Sequence, residues 1–244
     1  MKFVLALLVS LVCTQASKFP PNFKKCSRKD PNIDKCFLEA AQIGVNQATK
    51  YYSQIGLASF APLEISELKI GAGSQSVVNV EQNFKNCKLY GISEAKVDEF
   101  GFDFEGKFAH GKGLIPEIKM LCDYELNGKI LLLPIVGSGS STIILRNIKV
   151  VVRFDYEEEP KNGKTYFKFV SNKLSLEPDF VSFDFENLFN GDKQLGDNVN
   201  KVLNENSNEV FADVRSGYEK GLGLVLQHII NNMFSKVSEE EAFD

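Results

Sequence analysis

The side chains able to do chemistry are few, and their spacing does not suit catalysis. The chain has two histidines, His110 and His228, and five cysteines. No H-E-x-x-H motif places two histidines and a base on one helix face, which excludes a zinc protease of that type. In Gly137-Ser138-Gly139-Ser140-Ser141 the serines and glycines fall out of register with the G-x-S-x-G nucleophile elbow. Neither G-x-G-x-x-G nor a phosphate-binding loop is present. Members of a Ser-His-Asp triad lie far apart in sequence, so spacing neither signals nor forbids one. The carboxylates fall mainly on polar faces of alternating segments, where solvation accounts for them. The expectation is a protein that is not an enzyme and needs no cofactor.

Cysteine chemistry is better defined. Cys26 and Cys36 stand ten residues apart between Pro20-Pro21 and the first helical pattern, and they predict a small-loop disulfide tying the N-terminal tail to that helix. Cys87 and Cys122 each sit inside an alternating apolar segment. They are read as two buried thiols in preference to a second bridge, because free cysteine is among the most buried residue types. With no C-x-x-C pair and no histidine spacing to match, no metal site is expected.

The elements that position these residues begin after residue 16. Residues 1–16 carry Lys2, an apolar run too short to span a bilayer, and small residues at its end, the pattern of a secretory signal peptide. The expectation is therefore a secreted, extracellular protein with one domain over residues 17–244 and no stable membrane insertion. The formal net charge of −4 argues against nucleic acid as a partner. Residues 33–55 follow three- and four-residue steps behind Asn32, predicting a helix. From about 63 to 185 the period is two. Phe100, Phe102 and Phe104 share one face, and Asn127-Gly128 signals a hairpin turn. Ile130-Leu131-Leu132-Leu133 suggests a strand covered on both sides, Gly137 to Ser141 the next turn, and residues 157–163 a polar turn. Residues 192–237 return to the helical period with Asn206 as one polar break, and a single helix of that length would reach about 69 Å. The triplet Glu239-Glu240-Glu241 suggests a solvated acidic end.

Four segments then become recognisable in order along the chain. They are Phe19-Pro20-Pro21-Asn22-Phe23 through Cys36, Pro62-Leu63-Glu64-Ile65, Asp123-Tyr124-Glu125-Leu126-Asn127-Gly128 through Gly139, and Leu188-Phe189-Asn190-Gly191-Asp192 through Phe234. Together they resemble the insect takeout and juvenile hormone-binding protein family. The resemblance implies an α+β fold, a highly curved antiparallel β-sheet wrapped around a long C-terminal α-helix with a shorter N-terminal helix, related to tubular lipid-binding proteins. It also implies an internal tunnel for a terpenoid, juvenile hormone-like or fatty-acid-like lipid, a Cys26–Cys36 disulfide, and circulation in haemolymph or another extracellular fluid. Links to circadian, feeding or chemosensory physiology belong to the same implication. Hormone carriers of the family tend to have a second disulfide in the middle and later sheet. No cysteine follows Cys122 here, which points to the takeout-like branch.

On this reading the partner is a small hydrophobic ligand bound by a monomer. The candidate wall residues are Phe102, Phe104, Tyr124, Leu131, Leu133, Val214, Tyr218, Leu222, Val225 and Ile229, with Tyr124 offering a hydroxyl to a ligand oxygen. The alternative is a secreted signalling or interaction protein with a solid interior, whose surface engages a receptor.

Overall fold

The structure is a computed structural model that describes residues 19–71, 78–130 and 133–243. The expected signal peptide, Cys13 and Leu131 lie outside the described residues, as does the side chain of Leu133.

Seven strands form one antiparallel sheet: β1 (Leu63–Ile70), β2 (Val78–Tyr90), β3 (Lys96–Asp103), β4 (Phe108–Ile130), β5 (Leu133–Lys161), β6 (Lys164–Glu177) and β7 (Phe180–Phe185). Its spine is the β4–β5 hairpin, with strands of 23 and 29 residues. The outer edge of β4 is shared by β2 and β3, and the outer edge of β5 by β7 and β6. Both exchanges occur near Pro116 and Asn147, which face each other without pairing. Pro116 has no N–H to give to a ladder, and Asn147 takes a positive φ of 50°. This waist divides the sheet into a β2/β7 half and a β3/β6 half. Further register shifts in β2, β3 and β5 add the local bending that bulges produce.

Among the described residues the sheet does not close on itself; β1 and β6 end its longest path, and β3 and β7 each pair on one side only. Helices α2 (Lys193–Glu205) and α3 (Ser207–Phe234) fill the gap. α2 packs on β7, and α3 packs on β6, β1, β7 and β2. Towards β1 the helix comes very close. A Cβ at Gly217 would meet Ile70 Cγ2 at 2.8 Å, and one at Gly221 would meet Leu68 Cδ1 at 2.6 Å. Helix α1 (Ile33–Gln47) covers β3.

Several sequence expectations need correction. The single C-terminal helix is broken at Asn206 (φ −118°, ψ 22°), whose side-chain amide turns back to the Val202 carbonyl. α1 stops at Gln47, short of residue 55, because Tyr52 and Leu57 exchange backbone hydrogen bonds in a tight loop that buries Ile55. Asn127-Gly128 lies inside β4, opposite Val136 and Ile135, and the pairing runs on to Ile130 opposite Leu133. Gly128 is needed for close approach, since a Cβ there would meet the Asn79 carbonyl oxygen at 2.2 Å. The stretch from Gly137 to Ser141 is also strand, and its glycines let residues 186–188 cross over it. Residues 157–161 continue β5; Asn162 and Gly163, both at positive φ, make the turn expected of that pair.

Cys26 and Cys36 are bonded as expected. Cys87 and Cys122 are not free thiols; they form a second disulfide between β2 and β4, with Cα atoms 4.2 Å apart. Both lie on the buried face, and the bulge between Lys85 and Lys88 sets Cys87 against Cys122. The acidic end is only partly solvated: Glu240 is exposed, while Glu239 and Glu241 are half-buried. Ser238 caps a last turn, α4 (Glu239–Ala242), whose acids pair with Arg28, the Thr165 N–H and Lys164.

Candidate functional site

The alternation of β2, β4 and β7 and the period of α2 and α3 direct their apolar rows to one interior, elongated along the sheet. The candidate wall residues are spread along its length and do not form one cluster.

At the β2/β7 end, Tyr124 packs edge-on against Phe185 at 5.0 Å between ring centres. Its hydroxyl donates to the Glu186 carbonyl oxygen at 2.6 Å, so its proton is committed within the protein. Burial and the nearby Glu186 charge push this phenol up to about 12. Tyr218 is likewise engaged, donating to Gln82 Oε1 at 3.0 Å, and burial raises its pKa strongly. Val214 lines a cavity of about 20 Å³ with Gln82, Leu126, Phe183, Phe185, Leu203 and Val210. That volume suits about one water molecule. Nearby, an open cleft of about 350 Å³ lies between the β6–β7 connection and the start of α3, edged by Glu177, Asp179 and Arg215.

The middle belongs to α3. Ile229 is buried, while Leu222, Val225, Leu226, Ile230 and Met233 pack against the core yet stay partly accessible.

At the β3/β6 end, Phe102 and Phe104 stack at 5.9 Å. Around them stand Phe37 of α1, Tyr156 of β5, Phe167 of β6, Phe234 of α3 and Phe243 of the C-terminal segment. This aromatic cluster holds the functional candidates that sequence reasoning missed. Tyr156 and Phe167 alternate within strands, but nothing local signals that they meet Phe102. Phe243 follows a run of acids that pointed to solvent.

Among the described residues no three His, Cys, Asp or Glu side chains form a metal-binding group. His110 contacts Glu99 at 3.3 Å, and His228 is exposed on α3. No helix of the described residues is long and apolar enough to cross a membrane.

Comparison with known proteins agrees with this geometry. The family profile described as haemolymph juvenile hormone binding protein (JHBP) matches residues 3–244. The circadian clock-controlled protein daywake of Drosophila melanogaster is 24% identical over 233 residues, covering 93% of this chain and 88% of that protein. Its Drosophila yakuba counterpart is 23% identical over 232 residues, covering 92% of this chain and 88% of that protein. Takeout 1 of Epiphyas postvittana superposes with a TM-score of 0.77 at 23% identity, over 91% of this chain and 99% of that one, a likeness of fold.

Proposed function

Because the chain belongs to the haemolymph juvenile hormone binding protein family, we propose that it is a secreted carrier, without catalytic activity, for one small apolar ligand held between the curved sheet and α3. The observation that carries this reading is the α3 row of Leu222, Val225, Leu226, Ile230 and Met233, which meets the core without being fully buried. Apolar surface that packs on a core without being fully buried is what a guest can cover. At about 25 cal/mol per Å², a ligand burying about 300 Å² would gain about 7 kcal/mol, reduced by the cost of ordering a flexible chain.

Two disulfides support passage through an oxidising compartment and hence release to an extracellular fluid such as haemolymph. Kinship with circadian clock-controlled proteins supports a role in daily physiology, with a terpenoid or fatty-acid-like lipid as cargo and a monomer as the working unit. The cavity of about 20 Å³ favours a second reading, an interaction protein with a solid interior that engages a receptor. Solvent extraction of the secreted protein followed by mass spectrometry separates the two. The carrier reading expects one apolar compound in near-equal amount to protein. An empty extract, with no displacement of a fluorescent lipid, would leave the second reading standing.

A further inference from the structure

The glycines of α3, Gly217, Gly221 and Gly223, fall within two turns of the helix, and each is crowded. A Cβ at Gly217 or Gly221 would run into Ile70 or Leu68 of β1, and one at Gly223 would meet Asn172 Oδ1 of β6 at 2.2 Å. The helix backbone is therefore pressed against both strands at this level, and the interior is pinched there.

Tyr218 stands in the pinch. It reaches from α3 to β2, where its hydroxyl donates to Gln82 Oε1 at 3.0 Å. Both residues are buried, 4% and 7% exposed. The rings of Phe84 and Phe211, also buried, lie 6.3 and 6.0 Å from that of Tyr218 between centres. Helix and sheet are thus bridged by a hydrogen-bonded pair flanked by two rings. The two sides of this bridge differ. Towards the start of α3, Val210, Val214 and Gln82 help to enclose the cavity of about 20 Å³, room for about one water molecule. Towards its end, one and two turns on, Leu222 and Val225 begin the row that packs on the core without being fully buried.

We infer that Tyr218, held by Gln82, is a partition that sets the greatest length of cargo the protein accepts: the guest lies along α3 from Met233 towards Leu222 and stops at Tyr218. A hydrocarbon chain crossing that line would part the Tyr218–Gln82 bond. Methylenes offer neither group a replacement, so both would be stranded in apolar surroundings. The chain would also have to displace a ring and enter a space too small to hold it. Val214, beyond the partition, is then no part of the wall that cargo touches. This inference rests on the carrier reading and deepens it, naming the residue that decides chain length.

The test uses the secreted full-length product and displacement of a bound fluorescent lipid by saturated methyl esters of eight to twenty carbons. Affinity should rise about fourfold for each added carbon and then stop rising at one chain length. Tyr218→Ala, and the less disruptive Tyr218→Leu, should move that break to longer chains by several carbons. Tyr218→Phe keeps the ring and should keep the break, although it loses the bond. Val214→Ala, which enlarges only the far side, should leave the break in place. No break in the native protein, a break unmoved in both Tyr218→Ala and Tyr218→Leu, or one moved by Val214→Ala would overturn the partition and leave the carrier reading intact. Binding of no ester at any length, with no uptake of the fluorescent lipid, would overturn both.

Discussion

Asn204 treats Phe183 as a neighbouring strand would. Its side-chain oxygen accepts from the Phe183 N–H at 3.0 Å, and its side-chain nitrogen donates to the Phe183 carbonyl at 2.7 Å. One helical turn earlier, Asn200 does the same for Phe185. On α3, Asn231 brackets the N–H and carbonyl of Phe169, and Glu219 accepts from the Leu176 N–H. These side chains satisfy the free edges of β7 and β6, which an open sheet otherwise leaves for other chains to pair with. The helices are thus the seam of the shell as well as its lid.

Asn204→Ala removes both bonds and strands two backbone groups in a part-buried seam. Urea unfolding should show a loss of about 1–3 kcal/mol. Unchanged stability would mean that water replaces the amide and the seam does not depend on it.

The Cys87–Cys122 bridge predicts that the four cysteines Cys26, Cys36, Cys87 and Cys122 give no free thiol when the protein is denatured without reductant. Replacing Cys87 and Cys122 together by alanine should cost about 2–4 kcal/mol in the same unfolding assay. Two titratable thiols among these four in the denatured, unreduced protein would contradict the pairing.

Gly139 lets the chain after β7 lie on the sheet. A Cβ there would meet the Glu186 carbonyl oxygen at 2.6 Å, and that oxygen is the one Tyr124 bonds. Gly139→Ala should therefore destabilise by about 1–3 kcal/mol and shift the near-ultraviolet signal of Tyr124. Gly163→Ala makes a useful contrast, since nothing lies within 4 Å of its Cβ position and only its φ of 75° resists the change.

Tyr124 and Tyr156 have pKa values raised to about 12 in the folded protein, and Tyr218 is raised further, while unfolded tyrosine titrates near about 10. Between those values the unfolded chain binds fewer protons than the folded one, so stability falls as pH rises. Their contribution should be constant below about pH 10 and decline above it. Of the seven tyrosines, these three should ionise late, together with unfolding, in a spectrophotometric titration. Ordinary titration of all seven in the folded protein would contradict their burial.

Periodicity revealed much of this architecture, since α1, the long strands and the helical C-terminal segment all carry apolar rows at the expected steps. What it could not show were contacts made across long sequence separations. Asn127-Gly128 and the run from Gly137 to Ser141 have turn composition, yet both serve close backbone approach within strands. Asn200, Asn204, Gln227 and Asn231 look like polar-face residues of a helix until an unpaired strand edge is set beside them. The candidate wall was legible as a set of apolar rows, but Phe102 and Tyr124 lie in opposite halves of the sheet, and the waist that separates them has no local signature beyond Pro116.

The central claim, that an apolar guest lies against the inner face of α3, is tested most directly by a single reporter. The chain contains no tryptophan, so Leu222→Trp and Leu224→Trp each introduce one probe, the first in the accessible inner row and the second at a position 55% exposed on the outside. Titration with a brominated fatty-acid ester should quench the tryptophan at 222 to saturation at one lipid per chain and leave that at 224 almost untouched. Equal quenching at both positions, or none at 222, would contradict the account.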